Sequence, residues 1–186
     1  MAIKISFKKN ISENKIENYI LFTDENFKIG GLDKISLSKN SKIINKIVSN
    51  YKSKDNNFIL FNINPNQKVI LIRSKNIVSS LENEKLGAEF YNYIKSNLIL
   101  SSTFLENNIK EIRKKNKSFL DEFFHGLKLK SYEFNKYKTK IKKQLYEITI
   151  SAKDSLKLGK DKRFDSLIEG MNLTKVLVSE PGNILH

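Results

Sequence analysis

Residues 161–186 read DKRFDSLIEGMNLTKVLVSEPGNILH. Phe164, Leu167, Ile168 and Met171 recur at intervals of three and four, and Leu173, Val176, Leu177 and Val178 widen the stripe. That spacing predicts an amphipathic helix with a broad buried face. It opens at Ser155 or Asp161, with Gly159 blurring the start. Pro181 ends it. Proline has no N–H and drives the residue before it out of helical angles, so the helix stops by Ser179 or Glu180 and the chain leaves extended through Gly182, Asn183, Ile184 and Leu185. An apolar, extended exit of this kind leads into a further packed element, which is the expectation for whatever follows His186.

Upstream, strand and helix patterns alternate. Ile3, Ile5 and Phe7 alternate with polar residues as a first strand, and Tyr19 to Thr23 is a short apolar run of the kind a buried strand shows. Residues 10–15 and the pair Gly30-Gly31 read as turns. Ser41 is placed as the cap of a helix whose face is Ile43, Ile44, Ile47, Val48 and Tyr51. Residues 57–61 and 68–72 are β-rich runs joined by Asn64-Pro65-Asn66-Gln67, a turn sequence, so they pair as a hairpin, expected near the middle of the sheet. A helical pattern follows from Asn76 through Ile94, then a strand at residues 98–102. Residues 108–117 read as a polar, basic surface connection. Phe119, Leu120, Phe123, Phe124 and Leu127 define another helix, and residues 145–150 a last strand.

Helices and strands in alternation, broken by one hairpin, argue an α/β domain with a mixed sheet. The division expected is a body over residues 1–160 and a long linker helix over residues 161–186. With 186 residues there is enough chain for one well-buried domain.

Two stretches resemble a known family. Leu177-Val178-Ser179-Glu180-Pro181-Gly182-Asn183-Ile184-Leu185 is similar to the L-V-x-E-P-x-N-x-L segment that closes the interdomain helix of the two-metal cytosolic leucine aminopeptidases. The run GLKLKSYEFNKYKTK at residues 126–140 is similar to that family's G-x-x-L-x-S-Y-x-F-x-x-Y-K-T. The resemblance implies a three-layer, macro-domain-like α/β fold, a mixed sheet flanked by helices and ending in the linker helix. It implies a non-catalytic N-terminal domain whose partner is a missing catalytic domain, in a cytoplasmic homo-hexamer that releases N-terminal amino acids from peptides. It also implies two divalent metals, manganese or zinc, held in that missing domain. The family's metal ligands lie in G-K-G-x-x-F-D-x-G-G and N-T-D-A-E-G-R motifs, and neither string occurs in this chain. No cofactor, catalytic residue or metal ligand is therefore assigned here.

The residues themselves argue the same way about chemistry. There is no cysteine, which rules out disulfides and thiolate ligands and fits a cytoplasmic address. The two histidines are His125 and the terminal His186, and His125, beside Phe123-Phe124 near a helix end, reads as a packing residue. Asp121 and Glu122 are adjacent on a helix, point apart, and read as solvated. Gly30-Gly31 lacks the spacing of a dinucleotide fingerprint or a P-loop, no glycine-rich loop suits a macro-type ligand site, and no G-x-S-x-G elbow occurs. The N-terminus has no apolar core followed by a cleavage site, and no apolar run approaches the roughly 20 residues a membrane span needs.

Charge is the remaining signal. The chain carries 34 basic and 20 acidic residues, a formal net charge of +14. Residues 108–143 hold 12 of the basic residues against four acids, interleaved with Tyr132, Phe134 and Tyr137. Arg113, Lys114, Lys115, Lys117, Lys136, Lys138, Lys140, Lys142 and Lys143 are the candidate nucleic-acid surface, and a nucleic-acid-binding module is the alternative function. The plainer reading is a lysine-rich composition with the three aromatics anchoring a loop.

Overall fold

Six strands form one sheet in a computed structural model that describes residues 3–9, 11–12, 15–34, 36–51, 56–75, 79–137, 144–152 and 162–181. The strands are β1 (Ile3–Lys8), β2 (Asn18–Thr23), β3 (Phe58–Asn64), β4 (Gln67–Arg73), β5 (Ser101–Leu105) and β6 (Tyr146–Ser151), in the order β1-β6-β5-β2-β4-β3. Every pairing is parallel except β3 with β4. The hairpin thus exists as expected, but it forms one edge of the sheet rather than its middle. The reason is that β2 and β5 pair with each other and place β4 outermost of the parallel strands.

Five helices accompany the sheet: α1 (Ser41–Asn50), α2 (Ser80–Ser96), α3 (Glu106–Lys115), α4 (Phe119–Lys130) and α5 (Lys162–Ser179). Two cores result. On one face Ile20, Phe22, Ile70, Ile72, Phe104, Ile148 and Ile150 meet α2, α3 and α4; on the other Tyr19, Leu21, Val69 and Leu71 meet Ile44 of α1 and the short helical turns Leu32–Lys34 and Ser36–Asn40. The fold is a three-layer α/β arrangement, a mixed sheet flanked by helices.

Local chemistry explains where elements begin. Ser79 caps α2 through a capping box: its hydroxyl accepts from the Glu82 N–H and the Glu82 carboxylate accepts from the Ser79 N–H. At α1 the capping position is Asn40, without a side-chain bond, and Ser41 is already helical. Leu98 sits in the left-handed region at φ 53°, turning the chain out of α2 so that β5 starts at Ser101 instead of Leu98. Gly87 and Gly126 let α2 and α4 touch backbone to backbone. A Cβ on Gly87 would lie 1.9 Å from the Phe123 carbonyl oxygen, and one on Gly126 would lie 1.9 Å from that of Glu84. Phe123 fills the space this creates, its ring 5.3 Å from Phe22 and 5.6 Å from Phe90; burying one such side chain contributes about 1.5–3 kcal/mol.

Two segments differ from their sequence reading. Residues 108–117 are not a surface connection: α3 buries Ile109 and Ile112, and Asn108 lies at 1% exposure against the end of β2. Its amide Oδ1 accepts from Phe22 N at 2.7 Å, and its Nδ2 donates to Phe22 O at 2.9 Å and Gly30 O at 3.2 Å. The β2–β5 pairing spans only Tyr19↔Thr103 and Ile20↔Phe104, so Asn108 takes over where that strand pair ends. Glu122 is buried rather than solvated, because Ser80 Oγ at 2.6 Å and Asn83 Nδ2 at 2.7 Å donate to its carboxylate from the first turn of α2. Hydrogen bonds to a charged group contribute about 1.5–3 kcal/mol.

Candidate interdomain surface and basic segment

The two stretches that carry the family resemblance meet in space. α4 ends at Lys130, and the loop after it, residues 131–137, runs to the far end of α5. There Lys136 Nζ lies 2.6 Å from Glu180 Oε1, and the Tyr137 hydroxyl donates to Glu180 Oε2. The Glu180 carboxylate is only 5% exposed while the Lys136 side chain is 57% exposed, so the acid is the buried member of the pair. The hydrogen bonds from Lys136 and then Tyr137 hold the Glu180 carboxyl below the ordinary carboxylate value. The same bond to Glu180 raises the Lys136 ammonium and the Tyr137 phenol.

Further contacts fasten the loop and the helix. Phe134 packs on Tyr137 at 5.8 Å, and Lys95 of α2 pairs with Glu133 at 2.8 Å. Lys175 of α5 donates to the Leu129 carbonyl at 2.9 Å and lies 5.2 Å over the Tyr132 ring, placing a cation at the C-terminal end of α4 where the dipole favours it. Nearer the start of α5, Lys128 meets Asp165 at 3.0 Å and the His125 ring lies 5.0 Å from Phe164. His125 is a buried packing residue, as read, with Nδ1 2.9 Å from Glu84.

The buried face expected of α5 is largely uncovered. Ile168 is buried, but Leu167, Met171, Leu173, Leu177 and Val178 are between 42% and 82% exposed. The apolar stripe is broader than the strip of α4 and loop available to it, and the helix is held down chiefly by polar ties at its two ends.

Of the candidate nucleic-acid residues that the structure describes, some are engaged by other side chains. Lys114 is paired to Glu111 at 2.7 Å, Lys136 to Glu180, and Lys115 also has an interaction partner. Arg113 lies on α3 and Lys117 just beyond it. Lys138, Lys140, Lys142 and Lys143 lie outside the described residues. Tyr132 and Phe134 are half-buried and Tyr137 is bonded to Glu180, so the aromatics act as anchors of the loop.

A two-metal site would need several converging carboxylate or imidazole donors. Among the described residues no group of three or more such side chains comes together. No helix among the described residues is long and apolar enough to cross a membrane.

No family model matches the chain, and no curated protein matches it. Solved structures do. A tomato leucine aminopeptidase variant superposes with a TM-score of 0.61 at 18% identity, over 99% of this chain and 40% of that one. The chain shares its fold with part of a leucine aminopeptidase. An alphavirus P23pro-zbd structure matches at a TM-score of 0.50 and 13% identity, over 96% of this chain and 25% of that one. The macrodomain of Thermus aquaticus DarG lies further off, at a TM-score of 0.45 and 10% identity, over 81% of this chain and 99% of its own. At such identities the likeness is one of fold, and this chain spans well under half of the tomato enzyme's length.

Proposed function

We propose that this chain is the non-catalytic N-terminal domain of a leucine aminopeptidase-type metallo-exopeptidase. In this reading residues 161–186 are the linker helix and the start of the connection to a catalytic domain that carries two manganese or zinc ions. The parent enzyme is a cytoplasmic homo-hexamer that removes N-terminal amino acids from peptides. One observation carries the reading. Glu180, inside the stretch that resembles the family's interdomain segment, is bonded by Lys136 and Tyr137, inside the other stretch that resembles the family. Two motifs recognised separately thus form one contact, which supports reading them as parts of one pattern. The fold match over 99% of this chain and 40% of the tomato enzyme agrees with it, as does the uncovered apolar face of α5.

The domain's role is to shape assembly and access to an active site carried elsewhere. The purified 186-residue chain is expected to release no N-terminal leucine with added manganese or zinc. Metal-dependent release that a chelator abolishes would overturn the reading. The nucleic-acid alternative is less well supported, because Lys114 and Lys136, two of its residues, are engaged by acids.

A further inference from the structure

The two edges of the sheet are built differently. β1 closes one edge with Lys4 and Lys8 in the strand and Lys9 just after it, the charged kind of edge that keeps strands of separate molecules apart. β3 closes the other with the sequence FILFNIN. Residues 56–67 around it carry no charged side chain, the longest such run in a chain of which 29% is charged. No proline interrupts the strand, and its irregularity of register falls between Asn62 and Asn64, at the far end.

The phase of the hairpin's hydrogen bonds fixes which backbone groups this edge leaves open. Phe58 stands opposite Ile72, so Asn57 stands opposite Arg73, and the Arg73 N–H donates to the Asn57 carbonyl at 2.8 Å. Opposite residues of an antiparallel ladder alternate between bonded and non-bonded pairs. Ile59 and Phe61 therefore bond to β4, while Phe58, Leu60 and Asn62 turn their N–H and C=O groups away from it. The far side of β4 agrees: Lys68 and Ser74, in phase with Ile70 and Ile72, donate their N–H groups to the carbonyls of Glu17 and Thr23 on the β2 side. The outward groups of Phe58, Leu60 and Asn62 have no hydrogen-bond partner among the described residues.

We infer that the β3 edge docks a second copy of this chain, the two β3 strands pairing antiparallel about a two-fold axis at Leu60 and joining two sheets into one. In that register Leu60 faces Leu60 and Phe58 faces Asn62, each pair exchanging both of its N–H···O bonds, so the outward groups are all satisfied. Side chains match as well. Phe58 and Leu60 are half-buried on the α2 face, with the Phe58 ring 4.8 Å from Tyr93, and Phe61 and Ile63 are half-buried on the α1 face. A strand apolar on both faces is what such an edge fits, and β3 is itself that strand. Charge argues for the same occupant. Two copies at +14 bring lysine against lysine over most of their surface, whereas along β3 neither strand contributes a cation. The cations in register with it, Lys68 and Arg73, lie one strand back on β4. The pairing uses neither α5 nor the loop that binds Glu180, so it stands independently of the aminopeptidase reading.

The test is sedimentation velocity of the 186-residue chain across the micromolar range in about 0.1 M and about 1 M salt, with amide hydrogen exchange on the same samples. A monomer–dimer equilibrium that tightens with salt is expected. The Phe58, Leu60 and Asn62 amides should exchange fast in the monomer and slowly in the dimer, and those of Ile59 and Phe61 slowly in both. Leu60→Lys sets two ammonium groups face to face, and Asn62→Pro removes an outward N–H; each should weaken dimerisation about tenfold or more. Asn62 is exposed, so its variant reports even if Leu60→Lys misfolds. The double variant Leu173→Ser, Val178→Ser on α5 should leave the dimer unchanged. A chain monomeric throughout, a dimer that survives both edge variants, or one lost on the α5 substitutions with the three amides still unprotected would overturn the assignment.

Discussion

Asn108 closes both backbone groups of Phe22, accepting from its N–H at 2.7 Å and donating to its carbonyl at 2.9 Å, 86 residues away in sequence. A side chain here does the work of a neighbouring strand, and all of it happens out of reach of solvent.

Replacing Asn108 with Ala should destabilise the fold by about 2–4 kcal/mol, since each unsatisfied buried polar group costs about 1–3 kcal/mol. Asn108→Asp should also destabilise, because a carboxylate would face the Phe22 and Gly30 carbonyls. Urea unfolding is the measurement, with the midpoint falling at unchanged slope. A loss under about 0.5 kcal/mol for Asn108→Ala would place water, not Asn108, as the partner of Phe22.

Two glycines in helices should respond with opposite sign to alanine. Gly126→Ala drives a Cβ into the Glu84 carbonyl, a backbone atom that cannot swing aside, and should cost at least about 1–3 kcal/mol. Gly170, in α5, has nothing within 4 Å of the added Cβ, so Gly170→Ala should stabilise that helix by about 0.5–1 kcal/mol. Melting curves of the two variants decide the matter, and a Gly126→Ala protein as stable as the parent would contradict the helix contact.

Acid should loosen the attachment of α5. The folded Glu180 carboxyl titrates below its ordinary value of 4.5, so the unfolded chain takes up the proton first. The contact therefore contributes fully above that value and is lost as pH falls through the depressed one. On the alkaline side the raised Lys136 and Tyr137 values have the reverse sign: their contribution holds below pH 10.5 and 10.0 respectively and fades above. Glu180→Gln should lower the urea midpoint at pH 7 yet differ little from the parent near pH 3. A difference that persisted unchanged in acid would mean that the ionised pair is not what holds the helix.

The sheet was legible where local pattern and tertiary role coincide. Tyr19 to Phe22 is buried throughout, and the Phe119-to-Leu127 helix buries the residues its period selected. The hairpin was readable from its turn, but its place at the sheet edge was not, because strand order depends on which parallel strands pair across long crossovers. α3 escaped notice because it buries an asparagine among few apolar residues, and burial of a polar side chain leaves no periodic trace. Glu122 looked exposed for a similar reason, its partners Ser80 and Asn83 lying about 40 residues earlier. The stripe of α5 was read as a broad buried face, and most of it is exposed, since period reports what a helix can bury and not what is present to cover it.

The bare side of α5 is expected to bear on how copies of the molecule meet in solution. Each copy carries a formal charge of +14, and this mutual repulsion keeps the oily strip of one from finding that of another. Repulsion of that kind reaches about 10 Å in 0.1 M salt and only about 3 Å in 1 M. Added salt therefore removes the barrier while leaving the attraction intact, so the chain is a better-dispersed solute in dilute buffer than in brine.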